Sequence, residues 1–258
     1  MVSPASPSSL VTIIGRGHSG TRAMSHTLTA SGTFMGEPLN GSGDLLPPDA
    51  MYEAARVFGR QVHWRGGLDW DFSGFDTNPI PAEFESLVHS FLRTVLASPA
   101  ADRGWKLPET TLALPWILRL FPAIKYIFWI RDPRDCILGS HCTDDLANFG
   151  VAAPPVADDH LRRAISWVYQ YNLVKATCPP AQWIEVRFED FVLQQDETLA
   201  RISDFLGRKL AKIPVRPETV YRWRTHPDAV CYDFLEPALR AYNYEIPAGS
   251  RFIKTDLC

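Results

Sequence analysis

A glycine-rich stretch near the start of the sequence carries residues that could hold a phosphate group. Residues 11–22 read Val-Thr-Ile-Ile-Gly-Arg-Gly-His-Ser-Gly-Thr-Arg. Four β-prone residues therefore lead directly into a segment with glycine at positions 15, 17 and 20. Glycine lets backbone N–H groups approach an oxyanion closely, and a helix starting at about Thr21 would add partial positive charge from its N-terminus. Arg16, His18 and Arg22 supply further hydrogen-bond donors. The stretch predicts a phosphate-binding loop between a strand and a helix.

The loop allows one interpretation as a phosphotransferase. The spacing of Gly15 and Gly20 matches the P-loop of nucleoside triphosphatases, but that pattern continues with Lys and then Ser or Thr. Thr21 and Arg22 stand at those two positions. A P-loop-type phosphotransferase or NTPase with an altered Walker A sequence would also need a loop lysine and a magnesium-binding aspartate after a strand, and neither is evident in the sequence.

A second group of cations follows a predicted strand in the middle of the chain. Arg131-Asp132-Pro133-Arg134-Asp135 comes directly after the apolar segment 123–130. In open α/β sheets, ligands bind outside the carboxyl ends of the strands. Two anion sites at two strand ends predict one ligand that carries two separated anionic groups.

The elements that must position these residues alternate between strands and helices. Periodicity predicts strands over 11–14, 123–130 and 183–187, and helices over 21–30, 52–58, 83–97, 111–121, 135–142, 158–177 and 196–206. The alternation predicts a single α/β domain over 1–258 with a mainly parallel sheet. Residues 1–9 are predicted to form a flexible N-terminus. Residues 36–82, rich in Gly, Pro, Asp and Trp, are predicted to be mostly loop.

Composition and charge exclude several classes of protein. The chain has 258 residues, 46% of them hydrophobic, and this is enough for one sizeable core. A formal net charge of -3 argues against a protein that coats nucleic acid. No apolar run approaches the length of a membrane span, and residues 1–9 lack the features of a secretory signal. Five cysteines without metal-binding spacing predict reduced thiols and a cytoplasmic location.

The two anion sites, together with further segments, resemble the sulfotransferase family over roughly residues 11–207. The run Glu-Val-Arg-Phe-Glu-Asp-Phe-Val at 185–192, followed by Phe205-Leu206-Gly207, is similar to the Tyr-Glu-Asp-Leu and Phe-Leu-Gly segments of that family. Gly36-Glu37 and the Lys106-Leu107-Pro108 segment, which precedes Leu-Phe-Pro at 120–122, are most similar to the branch that contains tyrosylprotein and many bacterial sulfotransferases.

This resemblance implies a fold, a cofactor and roles for individual residues. The fold would be a P-loop NTPase-like, three-layer α/β/α arrangement. The donor would be 3′-phosphoadenosine-5′-phosphosulfate (PAPS), the product 3′-phosphoadenosine-5′-phosphate (PAP), and no metal would be required. The acceptor would be a hydroxyl of a small molecule, a carbohydrate or a peptide, with 36–82 on the acceptor side. The predicted nucleotide-binding residues are Arg16, Gly17, His18, Ser19, Gly20, Thr21, Arg22, Arg131 and Ser140, and the predicted catalytic residues are Glu37 as general base with His18 and Lys106 stabilising charge.

Three departures from the family pattern leave a second alternative open. His18 stands where the family has Lys or Arg, and an imidazole is only partly charged near neutral pH. The family's Ser after the Arg131 turn falls on Gly139, so that Ser140 comes one residue late. Ala23 replaces an adenine-stacking Trp of the cytosolic members. The chain could therefore be a nucleotide-binding module without catalytic turnover.

Overall fold

The fold is described by a computed structural model that covers residues 9–247, 252–255 and 257. The described residues form six strands, in chain order β1 (Ser9–Ile14), β2 (His63–Gly66), β3 (Asp69–Asp71), β4 (Asp102–Lys106), β5 (Lys125–Ile130) and β6 (Trp183–Arg187). Four of them form one sheet in the order β4-β1-β5-β6, and every neighbouring pair is parallel. Their carboxyl ends therefore share one edge of the sheet. Strands β2 and β3 form a separate antiparallel hairpin.

Helices cover both faces of this sheet. They are α1 (Thr21–Ala30), α2 (Asp49–Gly59), α3 (Ala82–Phe91), α4 (Arg93–Ala97), α5 (Leu114–Leu120), α6 (Pro133–Cys136), α7 (Asp159–Ala176), α8 (Phe188–Leu193), α9 (Gln195–Leu206) and α10 (Glu236–Ala241). Within the described part of the chain, none of the helices is apolar enough over sufficient length to cross a membrane.

The alternation of side chains along β5 produces two hydrophobic cores. Ile127 and Trp129 pack in one cluster with apolar residues of α1, α8 and α9. Tyr126, Phe128 and Ile130 point to the opposite face and pack with α2, α3, α5 and α7. Because successive strand residues face opposite sides of a sheet, one apolar run supplies both cores. The predicted α/β class with a mainly parallel sheet and three layers is confirmed.

Several predicted elements coincide with observed ones. The helix predicted over Thr21–Ala30 and the strand predicted over Trp183–Arg187 have the observed bounds. Helix α9 ends at Gly207, which has a φ of 75° and closes the helix in the left-handed conformation typical of a C-terminal glycine.

Other elements differ from the prediction. The helix predicted over 135–142 ends at Cys136, so Ser140 lies in irregular chain. The helix predicted over 83–97 is interrupted at Leu92 between α3 and α4. Segment 36–82 is less loop-rich than predicted, because the helix predicted over 52–58 extends over Asp49–Gly59 as α2 and the β2–β3 hairpin was not predicted. The predicted flexible N-terminus lies outside the described residues except for Ser9, which begins β1.

Candidate active site

A cleft of about 550 Å³ opens at the carboxyl edge of the parallel sheet. Residues that follow β1, β4 and β5 line it, together with residues of α1, α8 and the segment 213–222. This volume lies within the range of roughly 300–1,000 Å³ that is usual for small-molecule sites. The cleft thus occupies the position at which open α/β sheets bind ligands.

The glycines of the loop between β1 and α1 are required by close packing around it. Gly20 has a φ of 88°, and a Cβ built on it would lie 2.5 Å from the ring of Phe188. A Cβ on Gly17 would lie 2.2 Å from the ring of His141. Side chains at these positions would collide with two rings that also line the cleft. The loop can therefore keep its course only with glycine at 17 and 20.

The N-terminus of α1 faces the same cleft. Gly20 precedes the helix, and among the described residues no side chain caps the first turn and no acidic residue lies in it. Gly20, Thr21 and Arg22 line the cleft. Because the first N–H groups of a helix lack intrahelical acceptors and carry partial positive charge, this end of α1 is suited to an anion.

Arg16 and Ser19 point away from the cleft and support the loop from behind. Arg16 is 4% exposed, forms an ion pair with Asp144 and donates from Nη1 to the carbonyl oxygen of Cys136 at 3.2 Å. Ser19 is 2% exposed and its Oγ donates to the Arg16 carbonyl at 2.6 Å. These two side chains are positioned to fix the loop, and neither residue lines the cleft.

Arg131 joins the two predicted anion sites. It follows β5, the neighbour of β1, and its Nη1 donates to the His18 carbonyl oxygen at 3.1 Å. Its Nη2 donates to Asp135 at 3.0 Å and to the Thr219 carbonyl, and its guanidinium lies 4.6 Å from the centre of the Phe188 ring. Arg131 lines the cleft. The loop and the Arg131 turn therefore lie side by side, as the sequence predicted.

Arg134 belongs to the same turn but does not reach the cleft. Its guanidinium makes two hydrogen bonds to Asp132, at 2.9 and 2.6 Å, and lies 3.6 Å from the centre of the Trp223 ring. Arg134 is 3% exposed and is absent from the cleft lining. Its contacts stabilise the turn that presents Arg131.

Lys106 brings a third strand end to the cleft. It is the last residue of β4, is 2% exposed, and its Nζ lies 2.5 Å from Oδ1 of Asp44. Burial lowers the pKa of Lys106, although the Asp44 carboxylate opposes this shift. Lys106 and Asp44 both line the cleft. Asp44 was not predicted as a site residue, and β4 was not predicted as a strand.

Glu37 and Ser140 lie outside the residues that line the cleft. Glu37 is exposed, and its backbone N–H donates to Thr94 Oγ1 at 3.4 Å. Ser140 is also exposed, and it reaches the loop through a backbone hydrogen bond to the His18 imidazole. Their predicted roles as general base and phosphate ligand are therefore not matched by a position in the cleft.

The structure relates two of the departures from the family pattern to each other. A Cβ on Gly139 would lie 3.0 Å from Nδ1 of His18. The imidazole therefore uses the space that a side chain at 139 would need. Partial burial, with Arg16 and Arg131 nearby, lowers the pKa of His18, so the imidazole is mainly neutral at neutral pH. His18 can donate one hydrogen bond in the loop but brings little positive charge.

A second histidine in the cleft was not predicted as a site residue. His141 packs against His18 with ring centres 5.7 Å apart, and burial lowers the pKa of His141 to about 3. Its Nε2 lies 3.8 Å from the buried carboxylate of Glu109, which accepts a hydrogen bond from Cys142 at 2.7 Å. The helix predicted over 135–142 gave no indication that the chain leaves the helix after Cys136 and brings His141 to the cleft.

The segment 213–222 closes one side of the cleft. Ile213, Val215, Arg216, Thr219 and Arg222 are among its lining residues. Nη2 of Arg222 donates to the Asp135 carbonyl oxygen at 3.3 Å, so this segment is attached to the Arg131 turn. This segment was not among the predicted site residues, although two of its arginines, Arg216 and Arg222, line the cleft.

Comparisons with known proteins agree with this geometry. The sulfotransferase family matches residues 11–212 of the chain. Proteins of Caenorhabditis elegans and Caenorhabditis briggsae, both named "Putative protein-tyrosine sulfotransferase", are 29% identical over 151 residues. The match covers 57% of this chain and 54% and 50% of the two relatives. The chain thus spans about half the length of the curated relatives it matches.

Solved structures share the fold at low sequence identity. A sulfotransferase domain from the curacin biosynthetic pathway has a TM-score of 0.60 and 13% identity, covering 94% of this chain and 100% of that domain. A sulfotransferase domain from the olefin synthase of Synechococcus PCC 7002 has a TM-score of 0.55 and 15% identity, covering 93% and 96%. With a family match over residues 11–212 and this fold, the chain belongs to the sulfotransferase family, as its motifs indicated.

Proposed function

We propose that this protein transfers a sulfuryl group from PAPS to an acceptor hydroxyl. The observation that carries the proposal is the contact between the two anion sites: Arg131 donates to the His18 carbonyl, so a glycine loop and a cationic turn on adjacent strands face one cleft. A ligand with anionic groups at two separated positions fits such a pair of sites. PAPS has this form, with a 5′-phosphosulfate and a 3′-phosphate on one nucleoside.

The loop and the Arg131 turn would hold the two ends of the nucleotide. The backbone of 16–20 and the first turn of α1, with Thr21 and Arg22, would bind the 5′-phosphosulfate. Arg131 would bind the 3′-phosphate. The buried side chains of Arg16 and Ser19 support the loop conformation that this requires. Ser140 would act through its backbone, because its side chain lies outside the cleft.

The chemistry would be an in-line transfer in one step. The acceptor oxygen forms a bond to sulfur while the bond between sulfur and the phosphate-bridging oxygen of PAPS breaks, and a carboxylate takes the acceptor proton. Lys106 and the neutral His18 would stabilise the charge that develops on the departing oxygen. Because the sulfuryl group carries a single negative charge, we expect no metal requirement. The family pattern predicts Glu37 as this base, but Glu37 is exposed and does not line the cleft, so we do not assign it this role.

The acceptor class follows only from the relatives. Two relatives are named as protein-tyrosine sulfotransferases, and this favours a peptide tyrosine among the three hydroxyl acceptors considered, with carbohydrates and small molecules as the others. The cytoplasmic location stays a prediction based on the cysteines; the four described ones, Cys136, Cys142, Cys178 and Cys231, are free thiols.

Two binding titrations and one transfer assay separate the proposal from its alternatives. PAP and magnesium ATP are titrated into the protein by calorimetry, and radiolabelled PAPS is offered with pools of tyrosine peptides, oligosaccharides, phenols and alcohols. Labelled product together with PAP binding supports sulfuryl transfer. Binding of magnesium ATP without PAP binding would favour the P-loop phosphotransferase. Binding of PAP without label in any pool would favour the silent module.

A further inference from the structure

We propose that Asp44 is the catalytic base that takes the proton from the acceptor hydroxyl, an assignment that rests on the proposed sulfuryl transfer. Among the described residues that line the cleft, Asp44 is the sole carboxylate. It faces a lining that includes Arg22, Lys106 and Arg131. Glu37, the carboxylate of the family pattern, lies on the same segment but is exposed and outside this lining.

Hydrogen bonds within its own turn hold Asp44 in place. Oδ1 of Asn40 accepts the backbone N–H groups of Ser42 and Asp44 at 2.8 and 3.0 Å. Nδ2 of Asn40 donates to Oδ2 of Asp44 at 2.8 Å. A general base is effective only when it is held within reach of the proton it removes. The Asn40 turn supplies this preorganisation.

The turn is also attached to the elements that form the cleft. Ser25, in α1, donates from Oγ to the Gly43 carbonyl at 3.0 Å. On the other side of Asp44, the backbone N–H of Leu45 donates to the Lys106 carbonyl at 3.1 Å. Asp44 is therefore fixed between α1, whose N-terminus faces the cleft, and the end of β4.

The ion pair with Lys106 gives the carboxylate a second function. Lys106 is buried, whereas the Asp44 side chain keeps 15% of its surface exposed, towards the cleft. When the acceptor proton moves to Asp44, the carboxylate becomes neutral and the bond from the acceptor oxygen to sulfur forms. The bridging oxygen leaves with its electron pair to give PAP. The charge of Lys106, no longer balanced by Asp44, then stabilises the new negative charge.

His141 is a poorer base although it also lines the cleft. Its Nδ1 lies 3.3 Å from the Thr143 backbone nitrogen, which donates to it. In the neutral imidazole the other nitrogen, Nε2, then carries the proton. Nε2 can donate a hydrogen bond but offers no lone pair to an acceptor hydroxyl. The two oxygens of the Asp44 carboxylate each accept one hydrogen bond, from Lys106 and Asn40, and each keeps a further lone pair that can accept the proton.

Asp44→Asn is the direct test, with Glu37→Gln as the matched control. Both variants replace a carboxylate of the 37–44 segment by its isosteric amide, and only the first lies in the cleft. With radiolabelled PAPS and the pool that the wild type labels, Asp44→Asn should lower kcat by about 10²–10⁴-fold, the usual contribution of a general base. Glu37→Gln should leave kcat within about threefold and PAP affinity unchanged, whereas Asp44→Asn, which leaves the Lys106 charge without its partner, should not weaken PAP binding.

Two phenols distinguish a base from a structural residue. At pH 8, 4-nitrophenol is largely ionised, whereas 4-methylphenol keeps its proton. Wherever the wild type accepts these phenols, Asp44→Asn should impair transfer to 4-methylphenol far more than to 4-nitrophenol. Asp44→Glu, which keeps a carboxylate, should recover part of the lost kcat. Equal losses with both phenols would assign Asp44 a structural role and overturn the proposal.

The outcomes keep this proposal apart from the proposed function. Wild-type protein that binds PAP but labels no pool would refute sulfuryl transfer itself. Wild-type transfer with unchanged kcat in Asp44→Asn, or with the loss in Glu37→Gln instead, would refute Asp44 as the base while leaving the reaction intact. Thermal unfolding of each variant shows that the comparison is made on folded protein.

Discussion

Replacing Gly20 by alanine should damage both the stability of the protein and its nucleotide site. An alanine with a φ of 88° costs roughly 1–2 kcal/mol, because its Cβ crowds the backbone in the left-handed region. The new Cβ would also lie 2.5 and 2.6 Å from two ring carbons of Phe188. Phe188 is 6% exposed and stacks on Arg131, so its ring has little room to move. Such overpacking costs typically about 1–3 kcal/mol.

The two effects together predict a loss of about 2–5 kcal/mol in the free energy of unfolding. For a chain of this size, that corresponds to a fall in Tm of about 4–20 °C. Gly207→Ala is the matched control: Gly207 has a φ of 75°, but nothing lies within 4 Å of a Cβ built there. The control should lose only the backbone contribution of roughly 1–2 kcal/mol.

Scanning calorimetry and titration with PAP measure both consequences. Gly20→Ala should unfold at a lower temperature than Gly207→Ala and should bind PAP more weakly, because a displaced Phe188 ring disturbs the loop and Arg131. Gly207→Ala should bind PAP as the wild type does. Equal Tm values for the two variants, with unchanged PAP affinity in both, would refute the claim that the loop is shaped by its contact with Phe188.

Three further predictions follow from the site. Arg131→Ala should weaken PAP binding by about 10–150-fold, which corresponds to one charge-assisted contact of about 1.5–3 kcal/mol. Arg134→Ala removes an equally buried arginine of the same turn, so it should lower Tm but leave PAP affinity unchanged. Equal PAP affinities in the two variants would contradict this prediction. Because burial lowers the pKa of His141 from 6.5 to about 3, the unfolded chain takes up a proton there that the folded chain does not. As pH drops from 6.5 towards 3, the free energy of unfolding of the wild type, measured in urea, should therefore fall relative to that of His141→Asn by up to about 1.4 kcal/mol per pH unit. Parallel curves of unfolding free energy against pH for the two proteins would refute this prediction. Partial desolvation beside the Glu109 carboxylate raises the pKa of Cys142 to about 12. Although both thiols are exposed, iodoacetamide at pH 8 should therefore label Cys178 well before Cys142, as read by mass spectrometry; equal labelling would contradict the prediction.

The sequence was sufficient where the signals were local. Four apolar or β-branched residues followed by three glycines specify β1, the loop and the start of α1 without reference to the rest of the chain. The apolar run before Arg131 identified β5, and parallel strands necessarily bring their carboxyl ends to one edge. The contact between the loop and Arg131 could therefore be predicted before the strand order was known.

The sequence was insufficient where tertiary contacts decide. Strand β4 reads Asp-Arg-Gly-Trp-Lys and shows no alternation of polar and apolar residues. Its strand conformation comes from pairing with β1, which the local sequence does not reveal. Asp44 lies in a turn, and its place in the cleft depends on contacts with α1 and with Lys106 at the end of β4, which are distant in sequence. His141 and residues 213–222 likewise reach the site through contacts between segments that are far apart in sequence.

The central claim is that the loop and Arg131 bind opposite ends of one nucleotide, and calorimetric titration with three ligands tests it most directly. PAP, adenosine 5′-monophosphate and adenosine 3′-monophosphate present both phosphates or one of them. If the two sites share one ligand, PAP should bind about 10–150-fold more tightly than either monophosphate. A 5′-monophosphate that binds as tightly as PAP would contradict the claim, because Arg131 would then contribute nothing to the nucleotide.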